Sequence, residues 1–207
     1  MKPIFVTFEG VDGSGKSSQI RALEGRLREL SIPYAVTREP GGSLIGEAIR
    51  SILLDPSNSE MVLKAEVLLY CASRAQHVHE VIRPALRGGK VVISERFTDS
   101  TIAYQCYGGG CDIETVKRIN SFATGGLEPD LTIVLDVDPA MGAVRRGNRP
   151  ADRIEERTDE YYDRVREGYL AIAVAEPQRV RVVNAGVSAE TVGKEIQYLV
   201  ESALGII

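Results

Sequence analysis

The feature that most constrains the fold of this chain is a glycine-rich stretch close to its N-terminus. It consists of Gly10, Val11, Asp12, Gly13, Ser14, Gly15, Lys16, Ser17 and Ser18. Every fixed position of the pattern G-x-x-x-x-G-K-[ST] is matched. An apolar, β-prone segment (residues 4–8) precedes the stretch, and a segment with helical apolar spacing (19–27) follows it. An ordinary glycine-rich turn is the alternative, and the matching strand and helix argue against it.

Such a loop binds phosphate groups for a physical reason. Its glycines let successive backbone N–H groups turn towards one anion, and the following helix adds the positive end of its dipole. Lys16 can reach the β- and γ-phosphates, and the hydroxyl of Ser17 can hold Mg²⁺. The sequence therefore predicts that the stretch from Gly10 to Ser18 binds a nucleoside triphosphate.

Length and composition indicate one soluble α/β domain. The 207 residues are enough for one such domain and few for two, so a single domain is expected over 1–207. No apolar run approaches the roughly 18 residues that span a bilayer, and residues 1–3 lead directly into a strand without a signal-peptide pattern. A net charge of −4 argues against a general nucleic-acid surface. We expect a cytoplasmic protein with no membrane or nucleic-acid partner, whose three cysteines are reduced.

Strand and helix patterns alternate along the chain. The apolar strand segments are 4–8, 34–37, 91–94, 131–135 and 180–183, and the segments with helical patterns are about 16–30, 44–54, 60–87, 98–105, 112–123, 139–145, 155–174 and 189–204. This alternation predicts an α/β fold with a five-stranded, doubly wound parallel sheet and helices on both faces.

Two predicted strands end in charged residues at the edge where open α/β sheets bind ligands. Arg38 opens a rigid, glycine-rich turn (38–42) after the second strand, and a surface salt bridge is the alternative for it. Glu95 and Arg96 follow the third strand. A carboxylate there can orient Mg²⁺ or its waters, and an arginine can clamp a phosphate bidentately.

A second group of polar side chains falls on predicted helices. Tyr70 and Arg74 are four residues apart and so share a helix face, where they could stack on and hydrogen-bond a nucleobase. A half-buried tyrosine beside a solvated arginine is the alternative. The helix after the third strand adds hydroxyl, ring and amide groups, from Ser100, Thr101, Tyr104 and Gln105.

Four arginines lie within residues 145–153, together with glycine and proline. They are Arg145, Arg146, Arg149 and Arg153. This composition cannot form a core element, and a solvated basic loop is the alternative. In a phosphate-handling protein the run predicts a mobile lid (about 145–155) whose cations close over the triphosphate and exclude water.

At this point the chain resembles the thymidylate kinases over nearly its whole length. The segments that carry the resemblance are 8–17, 38–42, 68–74, 95–97, 100–105 and 152–155. The resemblance implies the P-loop nucleotide kinase fold, transfer of a phosphoryl group from ATP to dTMP with Mg²⁺, and a homodimer. Two enzyme alternatives stay open: another nucleoside monophosphate kinase and an ATPase subunit. A regulatory GTPase would need Asn/Thr-Lys-x-Asp, which does not occur.

The resemblance also implies roles for individual residues. Asp12 would accept a hydrogen bond from the 3′-hydroxyl, and Tyr104 would lie under the sugar and leave little room for a 2′-hydroxyl. Arg38 and Arg96 would hold the dTMP phosphate. The residues expected to form the base and sugar pocket are Tyr70, stacking on thymine, Arg74, bonding the base edge, and Ser100, Thr101 and Gln105.

Two departures from the family pattern matter. Glu95 stands where an aspartate is usual, which puts its metal role in doubt. Gly13 stands where some members carry an arginine. The lack of an arginine at this position resembles the bacterial type, in which the lid supplies the catalytic positive charge, here from Arg149 and Arg153. The expected catalytic residues are therefore Lys16, Arg96, Arg149 and Arg153.

Overall fold

The computed structural model describes residues 2–147 and 151–207. The predicted lid residue Arg149 therefore lies outside the described residues. The strands are β1 (Phe5–Glu9), β2 (Tyr34–Arg38), β3 (Val91–Glu95), β4 (Leu131–Asp136) and β5 (Val180–Asn184). They form one parallel sheet in the order β2-β3-β1-β4-β5, which confirms the predicted fold class.

The helices surround this sheet. They are α1 (Lys16–Glu29), α2 (Leu44–Leu54), α3 (Leu63–His77), α4 (Arg83–Arg87), α5 (Thr98–Thr101), α6 (Ile113–Thr124), α7 (Pro139–Arg146), α8 (Asp159–Ala175) and α9 (Ala189–Ala203). A π-helical turn, Val78–Ile82, joins α3 to α4, and a second, Ile102–Gly108, extends α5. None of the helices described is long and apolar enough to cross a membrane.

Alternation along β1 explains why helices cover both faces. Val6 and Phe8 pack into the larger apolar cluster, whereas Phe5 packs into the smaller one with Val92 and Phe97. Because successive side chains of a strand point to opposite faces, a central strand buried on both sides needs helices above and below it. All five residues of β1 are buried.

One predicted helix begins later than expected. The pattern over 155–174 predicts a helix from Glu155, but α8 begins at Asp159. The Asp152 carboxylate accepts hydrogen bonds from the backbone N–H groups of Ile154 and Glu155. These hydrogen bonds hold residues 152–155 in turns. Thr158 then caps α8, because its side chain accepts a hydrogen bond from the N–H of Tyr161.

The parallel register brings the carboxyl ends of the strands to one edge. Phe8 and Arg38 are both register partners of Glu95, from the strands on either side of β3. The loop after β1, the turn after β2 and the residues after β3 therefore surround one cleft. The candidate site lies in this cleft, as expected for an open α/β sheet.

Candidate active site

The side chain of Lys16 folds back onto the backbone of the phosphate loop. Gly15 adopts a left-handed conformation and caps α1, whose first residue is Lys16. The Lys16 ammonium donates hydrogen bonds of 3.0 Å to the carbonyl oxygens of Gly10 and Val11. Burial, with a smaller contribution from the charge of Arg96, lowers the pKa of Lys16 to about 8. The amine is thus held inside the ring of backbone groups that a triphosphate would enter.

The structure gives a reason for glycine at position 13. Gly13 has a φ of +80°, and a Cβ there would overlap the carbonyl oxygen of Gly142 in α7. Gly142 packs as tightly against the loop, because its own Cβ would lie 2.5 Å from the Asp12 carbonyl oxygen. With α7 in this position, an arginine cannot replace Gly13 without moving the helix.

A pair of oxygen donors lies beside the loop. The hydroxyl of Ser17 donates a hydrogen bond of 2.8 Å to Oε2 of Glu95. Hydroxyl and carboxylate oxygens are the donors that Mg²⁺ prefers, usually in company with substrate phosphates and water. Within residues 2–147 and 151–207 no group of three or more His, Cys, Asp or Glu side chains could hold a metal by itself. The donor set therefore fits Mg²⁺ bound jointly with a nucleotide.

A cavity of about 90 Å³ opens next to the phosphate loop. It is lined by Asp12, Glu39, Pro40, Arg50, Leu54, Tyr70, Arg74, Arg96, Phe97, Ser100, Thr101, Tyr104, Gln105, Asp152 and Ile154. Every residue that the sequence assigned to the acceptor nucleotide lines this cavity, with the exception of Arg38. Residues from α2, α3, α5 and the π-helical turn after it, and from four loop segments, thus meet in one place.

Arg96 connects this cavity to the phosphate loop. Its guanidinium donates to Oδ1 of Asp12 at 2.8 Å and to the hydroxyl of Tyr104 at 3.0 Å. The guanidinium carbon also lies 4.9 Å from the centre of the Tyr104 ring. Its second nitrogen donates to the hydroxyls of Ser100 and Tyr169, both at 3.1 Å. A cation held at four points is preorganised to meet an anion.

Arg74 is not the solvated arginine of the alternative interpretation. Its side chain is buried, and it donates to Oε2 of Glu39 at 2.8 Å, to Oδ1 of Asn120 at 2.6 Å and to the Phe97 carbonyl at 3.0 Å. Glu39 also bonds the ring of His77. The network ties α3 to the turn after β2, to the residues after β3 and to α6, and it fixes the wall of the cavity.

Two polar side chains of the cavity differ in their hydrogen bonding. The Gln105 amide donates to Oε1 of the buried Glu66 at 2.9 Å. The Thr101 hydroxyl is buried and has no hydrogen-bond partner among the described residues. Because an unsatisfied buried hydroxyl destabilises a fold by about 1–3 kcal/mol, Thr101 is suited to bond a ligand.

Arg38 lies outside the cavity. It forms a bidentate ion pair with Glu47 of α2, at 2.7 and 3.0 Å, and about half of its side chain is exposed. This is the surface salt bridge of the alternative interpretation. The side chain lines a neighbouring depression together with Ser17 and Glu95, so it faces the metal donors rather than the cavity.

Arg153 was predicted as a cation of the lid, and the structure places it in a buried ion pair. Its side chain is buried, with Nε donating to the Leu53 carbonyl at 2.8 Å and Nη2 lying 2.7 Å from Oε2 of Glu66. Arg157 reaches the same carboxylate at 3.6 Å. A carboxylate that is completely buried requires a cation, and Arg153 supplies it from the start of the segment 151–158.

Sequence reasoning missed Arg50, Glu66, Glu9 and Tyr169. Arg50 lines the cavity and donates to the Pro40 carbonyl at 2.9 Å, and burial lowers its pKa, followed by the charge of Arg38. It is the only basic residue of α2, and that isolation in an apolar helix was a signal. Glu66 and Tyr169 gave no such signal, because each lies within an ordinary amphipathic helix.

Glu9 is the least expected of these residues. It ends the central strand and is completely buried. Burial, followed by the charge of Asp99, raises the pKa of its carboxyl to about 7. A carboxylate at the end of an apolar strand and directly before the glycine loop was the available signal.

Comparison with known proteins agrees with this geometry. The family model described as thymidylate kinase matches residues 8–196. The chain is 54% identical to a thymidylate kinase of Symbiobacterium thermophilum, over 97% of this chain and 94% of the relative. It is 50% identical to one of Pelotomaculum thermopropionicum, over 99% and 95%. A solved thymidylate kinase structure from Ehrlichia chaffeensis superposes with a TM-score of 0.79 at 33% identity, covering 97% of this chain and 99% of that one. The chain belongs to the thymidylate kinase family, whose members are phosphotransferases.

Proposed function

We propose that this chain transfers the γ-phosphoryl group of ATP to dTMP, giving dTDP and ADP for dTTP synthesis. The observation that carries the proposal is the bond between Asp12 and Arg96. It joins the phosphate loop to a cavity lined by side chains suited to a nucleoside monophosphate. Two substrates bound on either side of this contact would present their phosphates to each other.

On the donor side, the backbone of the loop would surround the phosphates of ATP. Lys16 would exchange its two carbonyl partners for phosphate oxygens. Ser17 and Glu95 would hold Mg²⁺, as their hydrogen-bonded oxygens suggest. When bound, the ion supplies positive charge that neutralises the phosphates and holds them in one orientation.

On the acceptor side, Arg96 would hold the dTMP phosphate, with Arg38 approaching from the end of β2 and Arg50 from α2. For this, Arg38 would exchange Glu47 for the phosphate. Asp12 would accept from the 3′-hydroxyl, and Tyr104 would lie under the sugar. The proposed base contacts are stacking by Tyr70, hydrogen bonds from Arg74, and polar contacts from Ser100, Thr101 and Gln105.

Phosphoryl transfer asks the protein for alignment and charge stabilisation. The acceptor phosphate is largely ionised near neutral pH, since its second pKa is about 6, so no protein base is needed. An arginine at the transferred group is worth roughly 10³–10⁵ in rate. We assign this role first to Arg149. Arg153 could share it only by leaving Glu66, so we propose that it anchors the lid.

We also propose a single cytoplasmic domain that forms a homodimer. Support for a second copy comes from apolar side chains exposed on helices that pack side by side. Phe122 of α6 is 91% exposed and Leu68 of α3 is 57% exposed. Light scattering of the wild-type chain and of a Phe122→Asp variant tests the dimer. Two monomeric samples would contradict it.

A coupled assay of ADP release, with ATP, Mg²⁺ and each nucleoside monophosphate in turn, tests the proposed function. We expect dTMP to give the highest kcat/KM. One methyl group separates it from dUMP, and a methyl in a pocket is worth only about 1–3 kcal/mol. Some activity with dUMP is therefore expected. A different best acceptor would replace this proposal with another nucleoside monophosphate kinase.

A further inference from the structure

The carboxylate of Glu9 lies directly behind the phosphate-binding arginine. It is completely buried at the carboxyl end of β1. Three groups donate hydrogen bonds to it: the hydroxyl of Ser100 at 2.5 Å, the hydroxyl of Tyr169 at 3.1 Å, and the backbone N–H of Phe97 at 2.7 Å. Glu9 does not line the cavity, so it acts on a ligand only through its neighbours.

The two hydroxyls form a bridge between Glu9 and Arg96. Ser100 and Tyr169 both lie within hydrogen-bond distance of Oε2 of Glu9, and each accepts from Nη1 of Arg96 at 3.1 Å. Their oxygens are also 2.8 Å apart, so Tyr169 can reach the carboxylate directly or by donating to Ser100. A hydroxyl has one proton and two acceptor sites. When its proton points at the carboxylate, its oxygen is free to accept from the guanidinium. Above pH 7, where the Glu9 carboxyl is mostly ionised because its pKa is about 7, its negative charge sets the direction of both hydrogen bonds to Arg96.

Glu9 also holds the backbone of the same arginine. Arg96 has a φ of +71°, a left-handed conformation that is unfavourable for a residue with a side chain. The next residue, Phe97, donates its N–H to Oε1 of Glu9, and the N–H of Arg96 bonds the Phe8 carbonyl. These two hydrogen bonds, from adjacent residues of the turn to adjacent residues of β1, stabilise the strained conformation.

We infer that Glu9 is a positioning residue that orients the guanidinium of Arg96 for the phosphate of the acceptor nucleotide. The inference deepens the proposed function and rests on its assignment of Arg96 to that phosphate. Glu9 acts by two routes, through the hydroxyls of Ser100 and Tyr169 and through the N–H of Phe97. The Tyr169 hydroxyl and the Phe97 N–H touch neither the triphosphate nor the nucleobase, whereas Ser100 is also one of the proposed base contacts.

Replacement of Glu9 by glutamine separates this role from simple packing. The N–H of Phe97 would keep the amide oxygen at the position of Oε1, and the amide nitrogen would then face Ser100 and Tyr169. Its N–H groups would donate to the same hydroxyl oxygens that accept from Arg96. The size of the side chain is conserved, but the hydrogen bonds that orient the guanidinium are weakened.

The test measures binding of dTMP and of thymidine to the full chain by isothermal titration calorimetry. Thymidine has the same base and sugar but lacks the phosphate. For Glu9→Gln we expect the preference for dTMP over thymidine to fall about tenfold or more, as when one charge-assisted hydrogen bond is lost. The affinities of Glu9→Gln for thymidine and for ATP should stay within about twofold of the wild-type values. An equal loss for dTMP and thymidine, or no loss for either, would overturn the inference.

Two further variants sharpen the result. Thr7→Val removes a different buried hydrogen bond of β1, that between the hydroxyls of Thr7 and Thr132 at 2.9 Å, and should leave the preference for dTMP unchanged. Tyr169→Phe removes one of the two bridging hydroxyls and should lower the preference. Because both changes act through one bridge, the losses of Glu9→Gln and Tyr169→Phe should be less than additive in the double variant. Additive losses would contradict the bridge.

Failure of this inference can be told from failure of the proposed function. If the wild-type chain binds dTMP no better than thymidine, the proposed role of Arg96 fails. If the wild-type chain prefers dTMP and Glu9→Gln retains the whole preference, the proposed function stands and the role of Glu9 is refuted.

Discussion

The hydroxyl of Ser17 in the phosphate loop donates a hydrogen bond of 2.8 Å to the carboxylate of Glu95 at the end of β3. The resemblance to thymidylate kinases put the metal role of Glu95 in doubt, because an aspartate is usual at this position. The longer side chain reaches the loop directly. Its carboxylate is therefore within reach of a cation bound at Ser17.

Glu95→Gln should weaken the binding of Mg²⁺ at the active site. The amide keeps the size of the side chain and removes its charge. We expect the Mg²⁺ concentration for half-maximal rate to rise about tenfold or more, as for loss of a carboxylate next to a metal. Rates measured against free Mg²⁺ test this. Glu24→Gln, in the same depression, is the matched control, and an unchanged Mg²⁺ dependence in Glu95→Gln would remove Glu95 from the metal site.

Tyr104 should control discrimination against ribonucleotides. Its ring carries Arg96 on one face, and its hydroxyl lies 3.4 Å from Oδ2 of Asp12. Tyr104→Ala opens space under the sugar, and we expect the preference for dTMP over ribothymidine monophosphate to fall about tenfold. Tyr104→Phe keeps the ring and should keep the preference while lowering kcat/KM. Equal preferences in the wild-type chain and Tyr104→Ala would exclude this role.

The buried ion pair between Arg153 and Glu66 should contribute to the free energy of unfolding. Arg153→Ala leaves the completely buried Glu66 carboxylate short of positive charge, which destabilises folds by about 3–5 kcal/mol. Adding Glu66→Gln removes that charge, so the double variant should be more stable than Arg153→Ala alone. Urea unfolding measures both differences. If Arg153→Ala kept full stability but lost turnover with normal ATP binding, Arg153 would instead act at the phosphates.

Much of the fold could be predicted from local pattern. The bounds predicted for α2 (44–54) agree with the structure, because an amphipathic run follows the N-cap Ser43. Arg96 after β3 and the helix pair Tyr70 and Arg74 meet in the cavity, because a parallel sheet brings strand ends to one edge. Arg38 and Glu95 lie in the neighbouring depression at the same edge. The buried ion pair of Arg153 could not be predicted, since its partner, Glu66, is remote in sequence. The same holds for Glu9, whose partners Ser100 and Tyr169 come from two distant helices.

Glu9 should make the stability of the fold depend on pH. Burial and the charge of Asp99 raise its pKa from 4.5 to about 7, opposed by the hydrogen bond from Ser100 and the charge of Arg96. The folded chain therefore binds this proton more tightly than the unfolded chain. The stabilisation of the folded state by this proton is complete at low pH and is lost as pH rises through about 7. In total it adds about 3 kcal/mol to the free energy of unfolding.

Glu9→Gln does not titrate at this position. Its stability relative to the wild-type chain should therefore increase between about pH 5 and pH 8 by up to about 3 kcal/mol, as measured by urea unfolding at both values. The variant would thus be more stable at pH 8 while binding dTMP more weakly. A difference between the two chains that does not vary with pH would show that Glu9 keeps an ordinary pKa.

Direct competition between acceptors tests the central claim most sharply. The chain is incubated with ATP, Mg²⁺ and an equimolar mixture of dTMP, dUMP, dCMP, dAMP, dGMP and UMP, and the diphosphates are identified by mass spectrometry at low conversion. Product ratios then report relative kcat/KM values. The account predicts that dTDP is the main product, followed by dUDP, with one ADP formed for each diphosphate. A different main product, or ADP release without a nucleoside diphosphate, would contradict it.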